Sequence, residues 1–135
     1  MRNTLHHVKV IDLPKVEDAR GNLTFVENGD IPFEMKRVYW IYDVPGGQER
    51  GGHAFRRQEE VIVALSGSFS VEIDDGRQKT THHLNRSYYG LYIPNGLWRH
   101  MENFSTNAVA LVLSSTRFND DDSIRDYQTF CELMP

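Results

Sequence analysis

The sequence of 135 residues has little cysteine, little net charge and no long apolar run. Its single cysteine, Cys131, cannot form an internal disulfide, which favours a reducing compartment. No stretch approaches the roughly 20 apolar residues of a membrane span, and residues 1–7 lack the apolar core of a signal peptide. The net charge of -4 argues against a general nucleic-acid binder. We therefore expect a single cytoplasmic domain, residues 1–135, with neither a nucleic-acid nor a membrane partner.

A nucleotide-binding phosphate loop is also missing. Residues 45–52 are rich in glycine, but no Gly-Lys-Ser/Thr sequence opens a helix after them. Arginine is plentiful, however, and supplies eleven of the fifteen basic residues. Because the planar guanidinium group binds phosphate oxygens in pairs, phosphate binding by individual arginines stays open.

Short β-forming segments separated by turn residues fill most of the chain. They are predicted at residues 7–13, 23–27, 36–43, 60–65, 68–74, 79–84, 87–93 and 108–114, with a further strand around His53 and Phe55. Asp75-Gly76 is typical of a hairpin tip. In the segment 36–43, strand alternation predicts that Arg37, Tyr39 and Ile41 share one face. This spacing predicts an all-β sandwich or barrel.

Only the C-terminal segment, residues 120–134, has a helical pattern. Asn119 and the three acids after it suit a helix cap and first turn. The apolar residues that then follow at helical spacing are Ile124, Tyr127, Phe130, Cys131 and Met134. We expect this helix to pack on the outside of the barrel.

Two stretches resemble the paired motifs of a cupin, a jelly-roll (double-stranded β-helix) barrel. The matching residues are His53, Glu60 and Gly67 in the first motif and Gly90, Pro94, Gly96 and Asn103 in the second. Phe55 and Arg99 stand where cupins carry two further histidines. Three or four N, O or S ligands are needed to hold a transition metal, and only His53 and Glu60 remain, beside a repelling guanidinium. We therefore predict a metal-free interior suited to acid–base chemistry or to an anion.

A more specific resemblance covers nearly the whole chain. It is carried by Asp18-x-Arg20-Gly21-x-Leu23, Ile31-Pro32-Phe33, Lys36-Arg37-Val38-Tyr39, Arg50-Gly-x-His53-Ala54, Val71-x-Ile73-Asp74-Asp75-Gly76, Gly90-Leu91-Tyr92-Ile93 and Ile124-Arg125-Asp126-Tyr127. These motifs are similar to those of the dTDP-4-keto-6-deoxyglucose 3,4-ketoisomerases. The resemblance implies a metal-free cupin, usually a homodimer that exchanges N-terminal strands, here within residues 1–27. It also implies a dTDP-linked keto-deoxysugar substrate and a role in bacterial surface sugars such as lipopolysaccharide O-antigen.

The implied chemistry moves a carbonyl from C4 to C3 of the sugar through an enediol. His53 is the candidate base, because imidazole titrates near neutrality and one base can serve two adjacent carbons. Tyr39 is predicted to donate to the enediolate oxygen. The ketone supplies the activation, so no metal or redox cofactor is required.

The remaining candidates are substrate-binding residues, each with a plainer alternative. Phosphate contacts are predicted for Arg20, Arg37, Arg50 and Arg99, although each is equally a candidate for an ordinary salt bridge. Trp98 could stack on thymine or belong to the core. Phe55 lines the site where the commoner family pattern has a second histidine.

Three functions follow from these observations. The first is a sugar-nucleotide 3,4-ketoisomerase that uses His53 with help from Tyr39. The second is a non-catalytic cupin that binds the sugar nucleotide, an interpretation supported by Phe55. The third is a metal-dependent cupin oxygenase, which the missing ligands disfavour.

Overall fold

Alternating apolar and polar residues shape most of the chain into short strands. The structure, a computed structural model, describes residues 2–133, so Met134 of the predicted helix lies outside the described residues. The strands are β1 (Lys9–Asp12), β2 (Lys15–Val16), β3 (Leu23–Thr24), β4 (Arg37–Ile41), β5 (Arg50–Phe55), β6 (Glu60–Ser66), β7 (Phe69–Asp74), β8 (Lys79–Leu84), β9 (Tyr89–Ile93), β10 (Trp98–Glu102), β11 (Val109–Ser114) and β12 (Ser123–Ile124). Short 3-10 helices cover Leu5–His7 and Asp120–Asp122, and the α-helix α1 covers Tyr127–Leu133.

Ten of these strands form two five-stranded antiparallel sheets. The first sheet has the order β1-β9-β6-β11-β4 and the second the order β12-β5-β10-β7-β8, while β2 and β3 pair as a separate hairpin. The predicted hairpin at Asp75-Gly76 joins β7 to β8, where the Asp75 N–H donates to the Gln78 carbonyl at 3.1 Å. No helix in the described range 2–133 is long and apolar enough to cross a membrane.

The two sheets share one apolar core. Fully buried side chains meet there from both sheets, among them Ile62, Leu91, Val112, Phe69, Val71 and Ile73. In β4, Tyr39 and Ile41 pack against this core, whereas Val38 and Trp40 point outward and are 50% and 56% exposed. The predicted alternation of β4 and the all-β fold with a C-terminal helix are therefore confirmed.

Two glycines of the cupin-like motifs are explained by close packing. Gly67 has a φ of +66°, and a Cβ there would lie 2.5 Å from Ser105 Oγ and 2.8 Å from Ala108 Cα. A Cβ on Gly90 would lie 2.4 Å from Val61 Cγ1. Because real Cβ contacts are not that short, a side chain at either position would push neighbouring elements apart.

The C-terminal helix begins later than the predicted residue 120. Asn119 instead caps a single 3-10 turn, accepting a hydrogen bond from the Asp121 N–H at 3.0 Å. The chain then leaves helical geometry because Ser123 and Ile124 pair with the edge of β5. Asp126 provides the real cap of α1, since its carboxylate accepts from the Thr129 N–H at 2.9 Å. Ile124 is thus a strand residue, and the segment before α1 lies along the second sheet.

Candidate active site

A pocket of about 470 Å³ lies between β4 of the first sheet and β5 of the second. The segment from Phe118 to Arg125 closes one side of it. Its polar wall includes Arg37, Tyr39, Arg50, His53, Gln58 and Arg125, and Phe55 adds an apolar surface. Five of the residues predicted from the sequence therefore meet in one pocket: Arg37, Tyr39, Arg50, His53 and Phe55.

His53 lines this pocket and has one buried ring nitrogen, Nε2, without a hydrogen-bond partner among the described residues. Its ring packs edge-on against Phe55, with centroids 4.6 Å apart and planes at 69°. Burial, followed by the positive charges of Arg99 and Arg125, lowers the pKa of His53 from 6.5 to about 3. The imidazole is therefore neutral at physiological pH and can accept a proton.

Glu60 lies behind the pocket wall, where it is 2% exposed and fully hydrogen-bonded. One carboxylate oxygen, Oε1, pairs with Arg99 Nη1. The other, Oε2, accepts from Tyr39 Oη at 3.0 Å and from Gln58 Nε2 at 2.9 Å. These residues do not fit a transition metal, since both oxygens of Glu60 are engaged and a guanidinium faces them.

Arg99 is the counter-charge of Glu60. Its side chain is 1% exposed, and its Nε donates to the Leu97 carbonyl at 3.2 Å. The guanidinium also lies over the Phe55 ring, with its central carbon 5.2 Å from the ring centroid. A phosphate contact by Arg99, as expected from the sequence, does not fit this position, because Phe55 separates the guanidinium from the pocket and Glu60 already neutralises it.

Tyr39 donates its only hydroxyl proton to Glu60, although it lines the pocket. Burial raises the pKa of Tyr39 well above its usual range, and the negative charge of Glu60 raises it further. The phenol therefore stays neutral, and its oxygen keeps lone pairs that can accept a hydrogen bond. In the structure the phenol proton is engaged by Glu60, so the predicted donation to an enediolate oxygen stays a prediction.

Gln58 and Arg125 belong to the pocket but were not among the predicted site residues. Gln58 Oε1 accepts from Arg37 Nη2 at 3.0 Å and from Thr116 Oγ1 at 3.1 Å, so the buried amide links Arg37 to Glu60. Arg125 reaches the pocket because β12 pairs with β5, and it forms an exposed ion pair of 2.7 Å with Asp120. Gln58 carries no sequence signal that could have marked it, whereas Arg125 lies in one of the family-like motifs.

Besides Arg99, two further predicted binding residues lie outside this pocket in the single chain. The Arg20 side chain is 90% exposed and pairs with Asp18 at 2.8 Å on the loop between β2 and β3. Trp98 alternates with Arg99 along β10 and so lies on the opposite face, beneath α1. There its ring centroid is 5.3 Å from that of Tyr127 and 5.7 Å from that of Phe130. In the single chain Trp98 thus packs against the helix, and the predicted thymine contact stays a prediction.

Together, the two sheets and the pocket between them define a small cupin-type protein. The family described as FdtA, WxcM-like, C-terminal matches residues 6–135. The chain belongs to this family, and the resemblance identified in the sequence is confirmed.

Known relatives share both the sequence and the fold. The TDP-4-oxo-6-deoxy-alpha-D-glucose-3,4-oxoisomerase of Aneurinibacillus thermoaerophilus is 42% identical over 123 residues, which cover 90% of this chain and 88% of the relative. A 3,4-ketoisomerase from Helicobacter canadensis superimposes with a TM-score of 0.92 at 40% identity, covering 95% of this chain and 97% of that one. QdtA from Thermoanaerobacterium thermosaccharolyticum, a sugar 3,4-ketoisomerase solved in complex with TDP, gives a TM-score of 0.94 at 33% identity, covering 97% and 96%.

Proposed function

We propose that this protein is an isomerase that moves the carbonyl of dTDP-4-keto-6-deoxyglucose from C4 to C3. The observation that carries the proposal is the Nε2 of His53, unpaired within residues 2–133; the ring is an uncharged base that lines a pocket together with three arginines, in a chain related to known 3,4-ketoisomerases. The product would supply deoxysugars for surface polysaccharide such as O-antigen. A cytoplasmic location agrees with the lone cysteine.

The reaction begins with proton removal by His53. The C4 ketone acidifies the C3 proton, which moves to His53 as the C3–H electron pair forms the C3=C4 bond and the carbonyl pair moves to O4. Return of that proton to C4 completes the carbon part of the reaction. One nitrogen can reach both carbons, because bonded carbons are only about 1.5 Å apart. The Phe55 ring packs edge-on against the imidazole and holds it in place. Because Phe55 stands where the commoner family pattern has a second histidine, that position supplies no second base.

Incubation with the keto sugar nucleotide in heavy water tests this function directly. An isomerase must form the 3-keto product, and deuterium enters the ring whenever the proton held by His53 exchanges with solvent before it returns; both changes are visible by NMR. A protein that binds dTDP tightly but leaves the sugar unchanged and unlabelled would instead be the non-catalytic cupin.

The pH profile should follow the lowered pKa of His53. The base form is the active one, and a pKa near 3 in the free enzyme keeps His53 unprotonated when the pH falls through 6.5. We therefore expect kcat/KM to persist at pH 5 in assays restricted to the range where the fold is intact by circular dichroism. A half-maximal value at pH 6–7 would show that His53 titrates like a free imidazole or is not the base.

Three arginines are proposed to hold the diphosphate: Arg37, Arg50 and Arg125. Charge-assisted hydrogen bonds to phosphate contribute roughly 1.5–3 kcal/mol each. Arg50→Ala and Arg125→Ala should each weaken dTDP binding about tenfold or more in calorimetry. Arg86→Ala, an exposed arginine outside the pocket, is the matched control. If both pocket variants bind dTDP with unchanged affinity, Arg50 and Arg125 do not contact the diphosphate.

We also propose that the protein forms a homodimer through the outer face of the first sheet. Val38, Trp40 and Leu65 are each at least half exposed there, beside two grooves of about 630 and 530 Å³ with mainly apolar walls. Exposed apolar surface of this extent is typical of an interface. In sedimentation analysis we expect a dimer for the wild type and a monomer for Trp40→Glu, with Phe118→Glu, exposed elsewhere, as control. A wild-type monomer would contradict the proposal.

The exchange of N-terminal strands, and with it a phosphate contact by Arg20 in a partner's pocket, stays a prediction.

A further inference from the structure

The proposed isomerisation moves two protons, and His53 accounts for only one of them. The C3 proton moves to C4, but the hydroxyl proton must also move, from O3 to O4. This inference concerns the second proton and rests on the proposed function. It requires a group on the pocket wall that can take a proton from one sugar oxygen and return it to the neighbouring oxygen.

Tyr39 is the pocket residue whose hydrogen bonding suits a sugar hydroxyl. Its proton is directed to Glu60 Oε2 at 3.0 Å, away from the pocket. Its oxygen therefore faces a ligand as an acceptor rather than as a donor. The group of the substrate that complements an acceptor is the O3 hydroxyl, not the C4 ketone.

Glu60 is the only partner to which Tyr39 passes its proton in the described structure, and it is sealed from solvent. It is 2% exposed and does not line the pocket. Its two other partners, the guanidinium of Arg99 and the amide of Gln58, donate hydrogen bonds but do not accept a proton from it. A proton that reaches Glu60 can return only through Tyr39.

We propose that Glu60 stores the hydroxyl proton during the reaction and exchanges it with the sugar through Tyr39. In the first step His53 takes the C3 proton and the enediolate forms, with the negative charge on O4. When His53 returns its proton to C4, the O3 electron pair forms the C3 carbonyl. In the same step the O3 proton moves to Tyr39 Oη while the proton of Tyr39 moves to Glu60 Oε2, so the sugar never carries more than one negative charge. Glu60 then gives its proton back to Tyr39, and Tyr39 protonates O4. Tyr39 and Glu60 end as they began, and no outside oxidant or reductant is needed.

The surroundings of Glu60 favour its holding the proton only briefly. Arg99 stabilises the ionised carboxylate, so a protonated Glu60 would leave a buried cation without its counter-charge. The proton is thereby driven back toward the sugar. Burial also disfavours a free phenolate on Tyr39, in line with the raised pKa of that group, so the two transfers are coupled. Glu60 acts through Tyr39 and is a positioning residue for the hydroxyl transfer.

Glu60→Gln separates this role from that of His53, because an amide cannot store the proton. The experiment follows two signals in heavy water: deuterium at C3 of unconverted substrate, and formation of the 3-keto product. We expect product formation to fall about 100-fold or more while C3 exchange falls less than about tenfold. The ratio of exchange to product should thus rise at least about tenfold. A merely structural role would lower both signals together and leave their ratio unchanged.

Tyr39→Phe provides the same test with the Glu60–Arg99 pair intact, and carries it alone if Glu60→Gln does not fold. It should raise the ratio equally, and the double variant should be no worse than either single one. Gln58→Met is the matched control, since it removes another hydrogen bond to Glu60 Oε2 but leaves the relay, so the ratio should stay at the wild-type value. An active wild type combined with an unchanged ratio in Tyr39→Phe would overturn the relay. If the wild-type protein shows neither C3 exchange nor 3-keto product, the proposed isomerase function itself is wrong.

Discussion

Replacement of His53 by asparagine is expected to abolish deuterium exchange at C3 of the keto sugar while dTDP still binds. The amide keeps some of the size and hydrogen bonding of the ring but has no titrating nitrogen. Loss of a general base typically costs about 100-fold to 10,000-fold in rate. Binding should persist because the proposed phosphate contacts come from arginines rather than from His53. NMR in heavy water measures the exchange, and calorimetry measures the affinity for dTDP.

His6→Asn is the matched control for this experiment, since His6 is exposed in the N-terminal 3-10 helix. It should exchange deuterium at the wild-type rate. Equally fast exchange in His53→Asn would mean that the base lies elsewhere, and Tyr39 would be the next residue to test. If His53→Asn loses both dTDP binding and deuterium exchange, His53 maintains the shape of the pocket and need not be the base.

Strand alternation predicted the half of the site that comes from β4. The two faces of this strand have different surroundings, so Tyr39 turns to the pocket while Trp40 remains exposed. The cupin-like spacing likewise predicted that His53 and Phe55 lie on one strand, and both lie at the end of β5. In both cases the relevant information is local, because neighbours along a strand fix each other's direction.

Long-range contacts account for the features that the sequence did not predict. Both faces of β10 are covered, with Arg99 and Met101 buried on one side and Trp98 under α1 on the other, so alternation alone cannot say which face meets the pocket. The choice depends on where the C-terminal segment crosses the second sheet. The same crossing brings Arg125 to the pocket and replaces the predicted helix start at residue 120 by a turn and a strand.

The sequence did not predict the ion pair between Arg99 and Glu60. Loss of two histidines at metal-ligand positions indicated a pocket without a metal, and Arg99 was expected to reach a phosphate. In the structure the guanidinium pairs with the one remaining carboxylate of the motif. A buried cation requires a buried anion, and Glu60 is the group that the fold brings within reach.

Arg99→Met should therefore destabilise the protein strongly, by about 3–5 kcal/mol, because it leaves the Glu60 carboxylate buried without its counter-charge. Both side chains of the pair are almost fully buried, at 1% and 3% exposure, so solvent screens the interaction little. Urea unfolding followed by circular dichroism measures the loss. Arg125→Ala, which breaks an exposed ion pair with Asp120, is the control and should cost less than about 1 kcal/mol.

The double variant Arg99→Met/Glu60→Gln should recover most of that stability. A neutral amide at position 60 can still accept the hydrogen bond from Tyr39, and methionine fills the space beside Phe55 without a charge. Buried ion pairs lose much of their attraction to desolvation, so removing both charges costs far less than removing one. If Arg99→Met alone lies within about 1 kcal/mol of wild type, then Glu60 takes up a proton or reaches solvent when unpaired. That outcome would also weaken the proposed relay, because a store open to solvent would not return its proton to the sugar.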